Sequence, residues 1–495
     1  MLCVAVGRSR HHTTIAQHQH LVEQGAELVE LRLDYIQGQV NVKRLLADRP
    51  GPVMITCRRE RDGGKFVGSE ENRLLLLRTA ITEGAEYVDL EEDVAASVPR
   101  FGRTKRVISY HNFRHTPPNL EDIHRRMRPL DADVIKLAAM ANQPSDNLRM
   151  LQLMRASDVP TLAFCMGDIG TPSRLLAGKF GAPFTFATFH HERTLAPGQL
   201  SFREMVDVYH YDRIGRETAV FGVIADPVGH SLSPLVHNAA LRHENIDAVY
   251  VPFRVPRENL AEFLDTADQL DVRGLSVTIP HKEAVLGKLT HQEDAVRGIG
   301  AANTIVFDSR DRRGFNTDCR AAMESLELAA EDPHDLDELF EGKTALVLGA
   351  GGAARAIGYG LRRRGMQVVI ASRTLDRARD LAAYLGAKAI EWRQRHAASP
   401  HILVNCTPVG MHPEVDESPY DKHHLKPSMV VFDTVYNPES TLLVKFAREQ
   451  SCRVVTGIEM FVRQAGLQFQ HFTGREAPLD LMRETLRRAI GPAKF

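Results

Sequence analysis

Short apolar runs alternate with helix-period segments along roughly the first 210 residues. The runs are Leu2–Val6, Leu28–Leu33, Val53–Cys57, Tyr87–Leu90, Val107–Ser109, Val134–Ala138, Thr161–Cys165 and Phe184–Thr188. Helix-period stretches such as Glu71–Glu83 and Ser145–Ala156 fall between most of them. Near-continuous apolar runs are strands buried on both faces, and the amphipathic stretches are helices that cover them. Eight such units predict an α/β fold with a compact (β/α)8 TIM barrel over residues 1–214. An open doubly wound sheet is the structural alternative. The pattern restarts after Tyr211-Asp212-Arg213-Ile214-Gly215-Arg216, with a strand at Ala219–Ala225 and further α/β units. A polar acidic stretch, Glu331-Asp332-Pro333-His334-Asp335, precedes a second restart at Lys343–Leu348. The second part therefore reads as two lobes, split near 325–340.

A chain of 495 residues fits two to four domains. Lys plus Arg is 62 and Asp plus Glu is 63, so no positive surplus points to nucleic acid or an anionic membrane. No apolar run approaches the roughly 18–20 residues of a transmembrane helix. The six cysteines are scattered with no C-x-x-C pair, which argues against a disulfide framework or a zinc ribbon. The start, Met1-Leu2-Cys3-Val4-Ala5-Val6-Gly7, lacks a basic segment and reads as a strand, not a signal or transit peptide. A cytoplasmic location is the expectation. The pairs His11-His12, His18-x-His20 and His190-His191 lack Cys, Asp or Glu at ligand spacing, so no metal is expected. Oligomeric state is not legible.

A (β/α)8 barrel carries its active site at the carboxyl ends of its strands. Those ends supply Glu30 and Arg32 on the second strand, Arg58 after the third, His111 after the fifth, Lys136 on the sixth, Arg174 after the seventh and Gln199 after the eighth. Several cations together suit an anionic, oxygen-rich small molecule. A buried lysine near other cations has a depressed pKa and can form a Schiff base with a ketone. The alternative is a lysine that merely ends a strand at the surface.

The local strings Val29-Glu30-Leu31-Arg32-Leu33-Asp34, Thr56-Cys57-Arg58 and Ser109-Tyr110-His111-Asn112-Phe113 resemble type I 3-dehydroquinate dehydratase. So do Ala132-Asp133-Val134-Ile135-Lys136, Ser173-Arg174-Leu175 and Ala196-Pro197-Gly198-Gln199, in the family's order. The resemblance implies that Lys136 forms an imine with the C3 ketone of 3-dehydroquinate. It implies that His111 moves the C2 proton, that Arg174 holds the carboxylate, and that Glu30, Arg32, Arg58 and Gln199 line the pocket. Two positions depart from it. Asp62 stands where the family has a glutamate thought to orient the histidine, so that contact should lengthen or pass to Glu60. Leu195 replaces a serine, so one hydroxyl contact should be missing.

In the second part, Lys343–Leu348 runs into Gly349-Ala350-Gly351-Gly352-Ala353-Ala354-Arg355. Strand, glycine turn and helix together suit a pyrophosphate on a helix N-terminus. The next strand, Gln367–Ala371, ends in Ser372-Arg373-Thr374, with Arg377 one turn on. A basic residue there suits the 2′-phosphate of NADP rather than the ribose hydroxyls of NAD. Upstream stand Asp226-Pro227-Val228-Gly229-His230-Ser231-Leu232-Ser233-Pro234 and Gly274-Leu275-Ser276-Val277-Thr278-Ile279-Pro280-His281-Lys282. With Gly300-Ala301-Ala302-Asn303-Thr304, Phe315-Asn316-Thr317-Asp318, Val435-Tyr436-Asn437-Pro438 and Gly457–Gln464, these resemble shikimate dehydrogenase. Ser276 departs mildly, since the family often has Asn there.

That resemblance implies a catalytic pair, Lys282 and Asp318, and substrate contacts from Ser231, Ser233, Thr278, Asn303, Tyr436 and Gln464. It implies NADP(H) held by Gly349, Ala350, Gly351, Gly352, Ala353, Ser372, Arg373, Thr374, Arg377, Thr434 and Gly457. The implied domains are a dehydratase barrel at 1–214, a substrate lobe at 219–325 completed by about 456–495, and a Rossmann-like cofactor lobe at 335–455. The order is similar to the bifunctional enzymes that join these two activities. The implied small molecules are 3-dehydroquinate, 3-dehydroshikimate and shikimate, in two consecutive steps towards aromatic amino acids. The alternatives are a preference for quinate, or a catalytically dead regulatory protein built from these domains.

Overall fold

The computed structural model describes residues 1–190, 198–308, 311–329 and 339–491. Leu195, His191, the acidic stretch Glu331–Asp335 and the last four residues lie outside the described residues. The eight expected apolar runs are all strands: β1 (Leu2–Val6), β2 (Leu28–Arg32), β3 (Val53–Thr56), β4 (Tyr87–Glu91), β5 (Lys105–Asn112), β6 (Val134–Met140), β7 (Thr161–Met166) and β8 (Thr185–Thr188). They form one sheet in the order β7-β6-β5-β4-β3-β2-β1-β8, and the pairings along it are parallel. The ladder makes no β7–β8 pairing among the described residues, so the barrel is nearly closed. The strands are buried almost throughout, as a sheet covered on both faces requires.

Helices follow most strands, among them His11–Glu23, Glu70–Thr82 and Ser145–Ala156. Only a short 3-10 turn, Ala95–Ser97, lies between β4 and β5. Ser69 starts the Glu70–Thr82 helix by accepting the Asn72 N–H, and Glu70 and Glu71 favour its positive end.

Twelve further strands make two six-stranded sheets. The first contains β9 (Ala219–Ala225), β10 (Ala248–Arg254), β11 (Val272–Val277), β12 (His291–Gln292), β13 (Thr304–Asp308) and β14 (Asp311–Phe315), in the order β10-β9-β11-β13-β14-β12. The second contains β15 (Thr344–Leu348), β16 (Gln367–Ser372), β17 (Lys388–Glu391), β18 (Ile402–Asn405), β19 (Val430–Asp433) and β20 (Arg453–Val455). Its order, β17-β16-β15-β18-β19-β20, is all parallel and reverses direction of winding at β15. Ligands of such sheets bind at the carboxyl ends of the strands beside that switch point.

The chain divides into two compact units, Met1–Val220 with Pro227–Gly229 and Asp247–Asp271, and Phe221–Asp226 with His230–Ile246 and Val272–Phe495. The residues around Lys136 belong to the first and those around Lys282 to the second. No described helix is long and apolar enough to cross a membrane.

Candidate active sites

Strand alternation places Glu30 and Arg32 of β2, Asp89 and Glu91 of β4, Ser109 and His111 of β5 and Lys136 of β6 towards the barrel interior. Ser109 stands opposite Lys136 in the β5–β6 register, and His111 opposite Ala138. A small cavity of about 60 Å³ results. It is lined by all seven strand-end candidates: Glu30, Arg32, Arg58, His111, Lys136, Arg174 and Gln199. Asp62, Phe113, Phe164, Met166 and Phe186 complete much of the wall. His111 lies within β5, which runs on to Asn112, rather than after the strand as its apolar run suggested. The polar residues 110–112 extend the pairing because their backbone still bonds β6.

Lys136 is buried, and its Nζ donates to Asp89 Oδ2 at 2.9 Å. The Phe186 ring lies 4.4 Å from the same Nζ. The charge in contact with the lysine is thus a carboxylate, not the cation cluster the strand ends suggested. Asp89 also takes Arg58 Nη2 at 2.8 Å and Ser109 Oγ at 2.6 Å. Burial opposes the Asp89 charge, but Arg58, Lys136 and the Ser109 hydroxyl hold its carboxyl well below the usual range. Arg58 is further pinned by Glu91 at 2.9 Å, and Arg32 by a two-bond pair with Asp34 at 2.9 and 2.7 Å. Glu30 accepts from Thr56 Oγ1 at 2.7 Å.

Arg174 differs from these cations. It is 1% exposed, and its Nε, Nη1 and Nη2 are buried with no hydrogen-bond partner. Phe164 supports it from 4.3 Å, and burial lowers its pKa to about 10. An unpartnered guanidinium facing a cavity suits an anion. The His111 imidazole lies parallel to Phe113. Burial first, then Arg58 and Lys136, push its pKa well below the ordinary value, so the ring is neutral and able to act as a base.

Neither Asp62 nor Glu60 bonds His111 among the described residues. Asp62 instead accepts Arg59 Nε at 2.6 Å, and Arg59 reaches on to Asp93. The shorter side chain is drawn into this arginine cluster.

In the second unit, Lys282 Nζ donates to Asp318 Oδ2 at 2.5 Å. Asp318 sits in the first turn of the helix Thr317–Glu327, which Asn316 caps by accepting the Cys319 N–H. Asn303 Nδ2 donates to Asp318 Oδ1 at 3.0 Å and to Thr317 Oγ1 at 2.9 Å. Lys282, Asp318 and Asn303 therefore form one constellation. Ser233 opens the helix Ser233–His243 after β9, and its N–H donates to Ser231 Oγ at 3.3 Å. Thr278 follows β11 and is tied to the end of β9 through Ile224 O. Tyr436 follows β19 and packs on Phe461 at 4.8 Å, on the helix Gly457–Thr473 that carries Gln464. No hydrogen bond among the described residues joins Ser231, Ser233, Thr278, Tyr436 or Gln464 to the Lys282–Asp318 pair.

The glycine turn after β15 opens the helix Gly352–Arg363. A Cβ at Gly352 would stand 3.1 Å from Lys282 Cδ, so the turn passes directly beside the lysine. Ala350 and Ala353 lie within this turn and the first helical residues. Ser372 ends β16, and its Oγ accepts the N–H of Thr374, the N-cap of Leu375–Leu385. Arg373 and Arg377 are exposed and have no ion-pair partner among the described residues. Thr434 donates through both N–H and Oγ1 to Asn405 O. These features fit an NADP-type dinucleotide: an uncrowded helix start for the pyrophosphate and two open arginines past the second strand for a phosphate. No group of three or more metal-ligating side chains is present among the described residues.

Sequence reasoning missed Asp89, Glu91 and Gln468. Asp89 and Glu91 are acids at alternate positions inside an apolar run, which in a barrel strand point inward; that was the available signal. Gln468 accepts from Ser276 Oγ at 2.8 Å and donates to Asn303 O at 3.0 Å, which shows what Ser276 does in place of the family's Asn.

Residues 2–216 match the type I 3-dehydroquinase family, 223–305 the shikimate dehydrogenase substrate binding domain, and 457–487 the shikimate 5'-dehydrogenase C-terminal domain. Residues 344–435 match a family described as NADP oxidoreductase, coenzyme F420-dependent. Among solved structures, shikimate dehydrogenase from Thermus thermophilus, in complex with NADP(H) and shikimate, aligns with a TM-score of 0.50 and 34% identity, over 55% of this chain and 99% of that one. The shikimate dehydrogenase (NADP(+)) of Methanothermobacter thermautotrophicus is 41% identical over 284 residues, covering 55% of this chain and 98% of that protein. The chloroplastic bifunctional 3-dehydroquinate dehydratase/shikimate dehydrogenase of Arabidopsis thaliana is 37% identical over 503 residues, covering 97% of this chain and 83% of that protein. The dehydratase match precedes the dehydrogenase matches along this one polypeptide, the Arabidopsis match spans both, and the chain belongs to the family of bifunctional 3-dehydroquinate dehydratase/shikimate dehydrogenases.

Proposed function

We propose that the chain performs two consecutive steps of the shikimate pathway: dehydration of 3-dehydroquinate in the barrel, then reduction of 3-dehydroshikimate to shikimate with NADPH. The observation that carries the first step is the unpartnered, buried Arg174 in one cavity with Lys136 and a neutral His111. The second step rests on the Lys282–Asp318 pair lying against the glycine turn. We assign residues 1–214 to the dehydratase, 219–325 with about 456–495 to the substrate lobe, and 335–455 to the cofactor lobe.

In the barrel, Arg174 binds the substrate carboxylate. The Lys136 ammonium condenses with the C3 ketone: Nζ bonds the carbon, and two of its protons leave with the ketone oxygen as water, giving a protonated imine. His111 takes a proton from C2, and the electron pair moves into the protonated imine to give an enamine. The imidazolium returns the proton to the C1 hydroxyl, which leaves as water. Hydrolysis of the imine consumes one water and frees Lys136, so the net reaction releases one water. Asp89 holds the lysine in place and balances the charge of Arg58 beside it.

In the second unit, Lys282 donates a proton to the ketone oxygen while Asp318 keeps the ammonium oriented. NADPH supplies the hydride. Asn303, Ser231, Ser233, Thr278, Tyr436 and Gln464 offer neutral hydrogen-bonding groups for the polyol ring. Arg373, with Arg377, is assigned to the 2′-phosphate. Thr434, just past the end of β19, and Gly457, at the start of its helix, are assigned to hold the cofactor. A catalytically silent role gains no support, because both catalytic pairs are intact. All six cysteines are free, which suits a reducing compartment, and we place the protein in the cytoplasm.

A coupled assay tests this reading. With 3-dehydroquinate and NADPH, the enone absorbance of 3-dehydroshikimate should rise and fall while NADPH is consumed. Enone formation with no loss of NADPH would remove the second half of the proposal.

A further inference from the structure

Asp433 ends β19, is fully buried, and has no cation in ion-pair range among the described residues. Three donors surround its carboxylate. Asn405 Nδ2 and the Val435 N–H each donate to Oδ1 at 3.0 Å, and Thr441 Oγ1 donates to Oδ2 at 2.6 Å. Burial nevertheless raises its pKa to about 6. A buried charge is a poor choice where only packing is needed, because an apolar side chain of similar volume is often equally or more stable. A carboxylate held by three directional bonds fixes the positions of its donors.

Those donors root two turns. Asn405 ends β18 directly opposite Asp433 in the parallel register. Its Oδ1 accepts the N–H and Oγ1 of Thr407 at 3.0 and 2.7 Å, and its backbone oxygen accepts the N–H and Oγ1 of Thr434 at 3.0 and 2.8 Å. The turn after β18 and the turn after β19 are thus held by one buried pair. A second tie, His412 N–H to Asn437 O at 3.0 Å, joins the same turns farther out.

Both turns press on the site. Gly349 adopts a φ of 108°, and a Cβ there would lie 2.8 Å from Cys406 O. A Cβ at Gly457 would lie 2.3 Å from Val435 O, at the start of the helix that carries Gln464. The turns therefore stand between the glycine loop and that helix, at strand ends on the opposite side of β15 from Arg373.

We propose that Asp433 is a positioning residue of the reduction: through Asn405, Val435 and Thr441 it fixes the two turns that abut the glycine loop and the helix carrying Gln464. The inference rests on the reading that the second unit is an NADPH-dependent reductase. Because Asp433 lies away from the Arg373 side, its loss should misalign the reaction more than it weakens NADPH binding.

The test uses the full chain carrying Asp433→Asn, which keeps the shape but turns one acceptor into a donor, and separately Thr441→Val, which removes a single bond. NADPH affinity is read by fluorescence titration, and reduction of 3-dehydroshikimate by steady-state kinetics. NADPH deuterated at the transferred position reports whether hydride transfer limits turnover. For Asp433→Asn, kcat should fall about tenfold or more while the NADPH Kd changes less than about threefold, with a larger isotope effect than wild type. Thr441→Val should show the same split at smaller size, and Thr441→Ser should restore wild-type kcat. Unchanged kcat in both variants overturns the proposal, as does a parallel loss of kcat and NADPH affinity. If Asp433→Asn does not fold, Thr441→Val and Thr441→Ser decide alone. Wild type is run alongside: if it reduces nothing with NADPH, the functional reading itself fails and the inference falls with it.

Discussion

Lys136 Nζ donates to Asp89 Oδ2 across 2.9 Å, and the other oxygen of the same carboxylate takes Arg58 at 2.8 Å. One buried acid therefore balances two cations at the floor of the barrel cavity. Asp89→Asn should cut dehydratase kcat sharply and leave reduction of added 3-dehydroshikimate unchanged. Breaking a buried pair of this kind destabilises by about 3–5 kcal/mol, read as an earlier urea transition of the first unit. The pH dependence has a definite sign. Asp89 is held well below the usual carboxylate range, so its stabilisation is present above about pH 4 and is lost as pH falls below that. Wild type should lose stability more steeply than Asp89→Asn in that acid range; equal slopes would contradict the role assigned to Asp89.

His111 provides a kinetic counterpart. Burial, Arg58 and Lys136 lower its pKa, so the base form persists as pH drops through about 6.5, the ordinary imidazole value. The acid limb of dehydratase kcat/KM should lie below that pH and vanish with the activity in His111→Gln. A limb at or above 6.5 would mean that some other group titrates, or that the ring is protonated in the free enzyme.

Arg174 predicts opposite effects on stability and function. Replacing an unpaired buried cation with an apolar residue of similar length removes a desolvation penalty. Arg174→Met should raise the stability of the first unit by about 1–4 kcal/mol. The same change should raise the KM for 3-dehydroquinate roughly tenfold to hundredfold, the worth of a charge-assisted pair of about 1.5–3 kcal/mol. A lower melting temperature with an unchanged KM would refute both halves.

Most of the barrel was legible because parallel strands buried on both faces write themselves as apolar runs; Leu2–Val6 and Ser145–Ala156 match to the residue. The strand-end rule then found seven of the fourteen cavity residues, from Glu30 to Gln199. Asp89 escaped it because the rule reads strand ends, whereas the signal for Asp89, an acid at alternate spacing within an apolar run, lies in mid-strand. The diversion of Asp62 to Arg59 was equally invisible, since it depends on which of several arginines lies nearest in space. Asp433 and Asn405 are adjacent only through sheet register, which a linear reading of two separate strands does not reveal.

On the proposed reading, Arg373 carries the cofactor preference. Arg373→Ala should raise the KM for NADPH roughly tenfold to hundredfold, as expected for a lost charged contact of about 1.5–3 kcal/mol, and change NADH use little. Parallel kinetics with the two cofactors check this. Equal weakening of both would place Arg373 in support of the shared pyrophosphate or the fold.

On the proposed reading, one polypeptide holds two chemically independent sites, the first working through Lys136. The most direct measurement is NADPH consumption by Lys136→Ala, first with 3-dehydroquinate and then after addition of 3-dehydroshikimate. No consumption is expected in the first phase, and the full wild-type rate in the second. Consumption from 3-dehydroquinate by this variant, or failure to reduce added 3-dehydroshikimate, would contradict it.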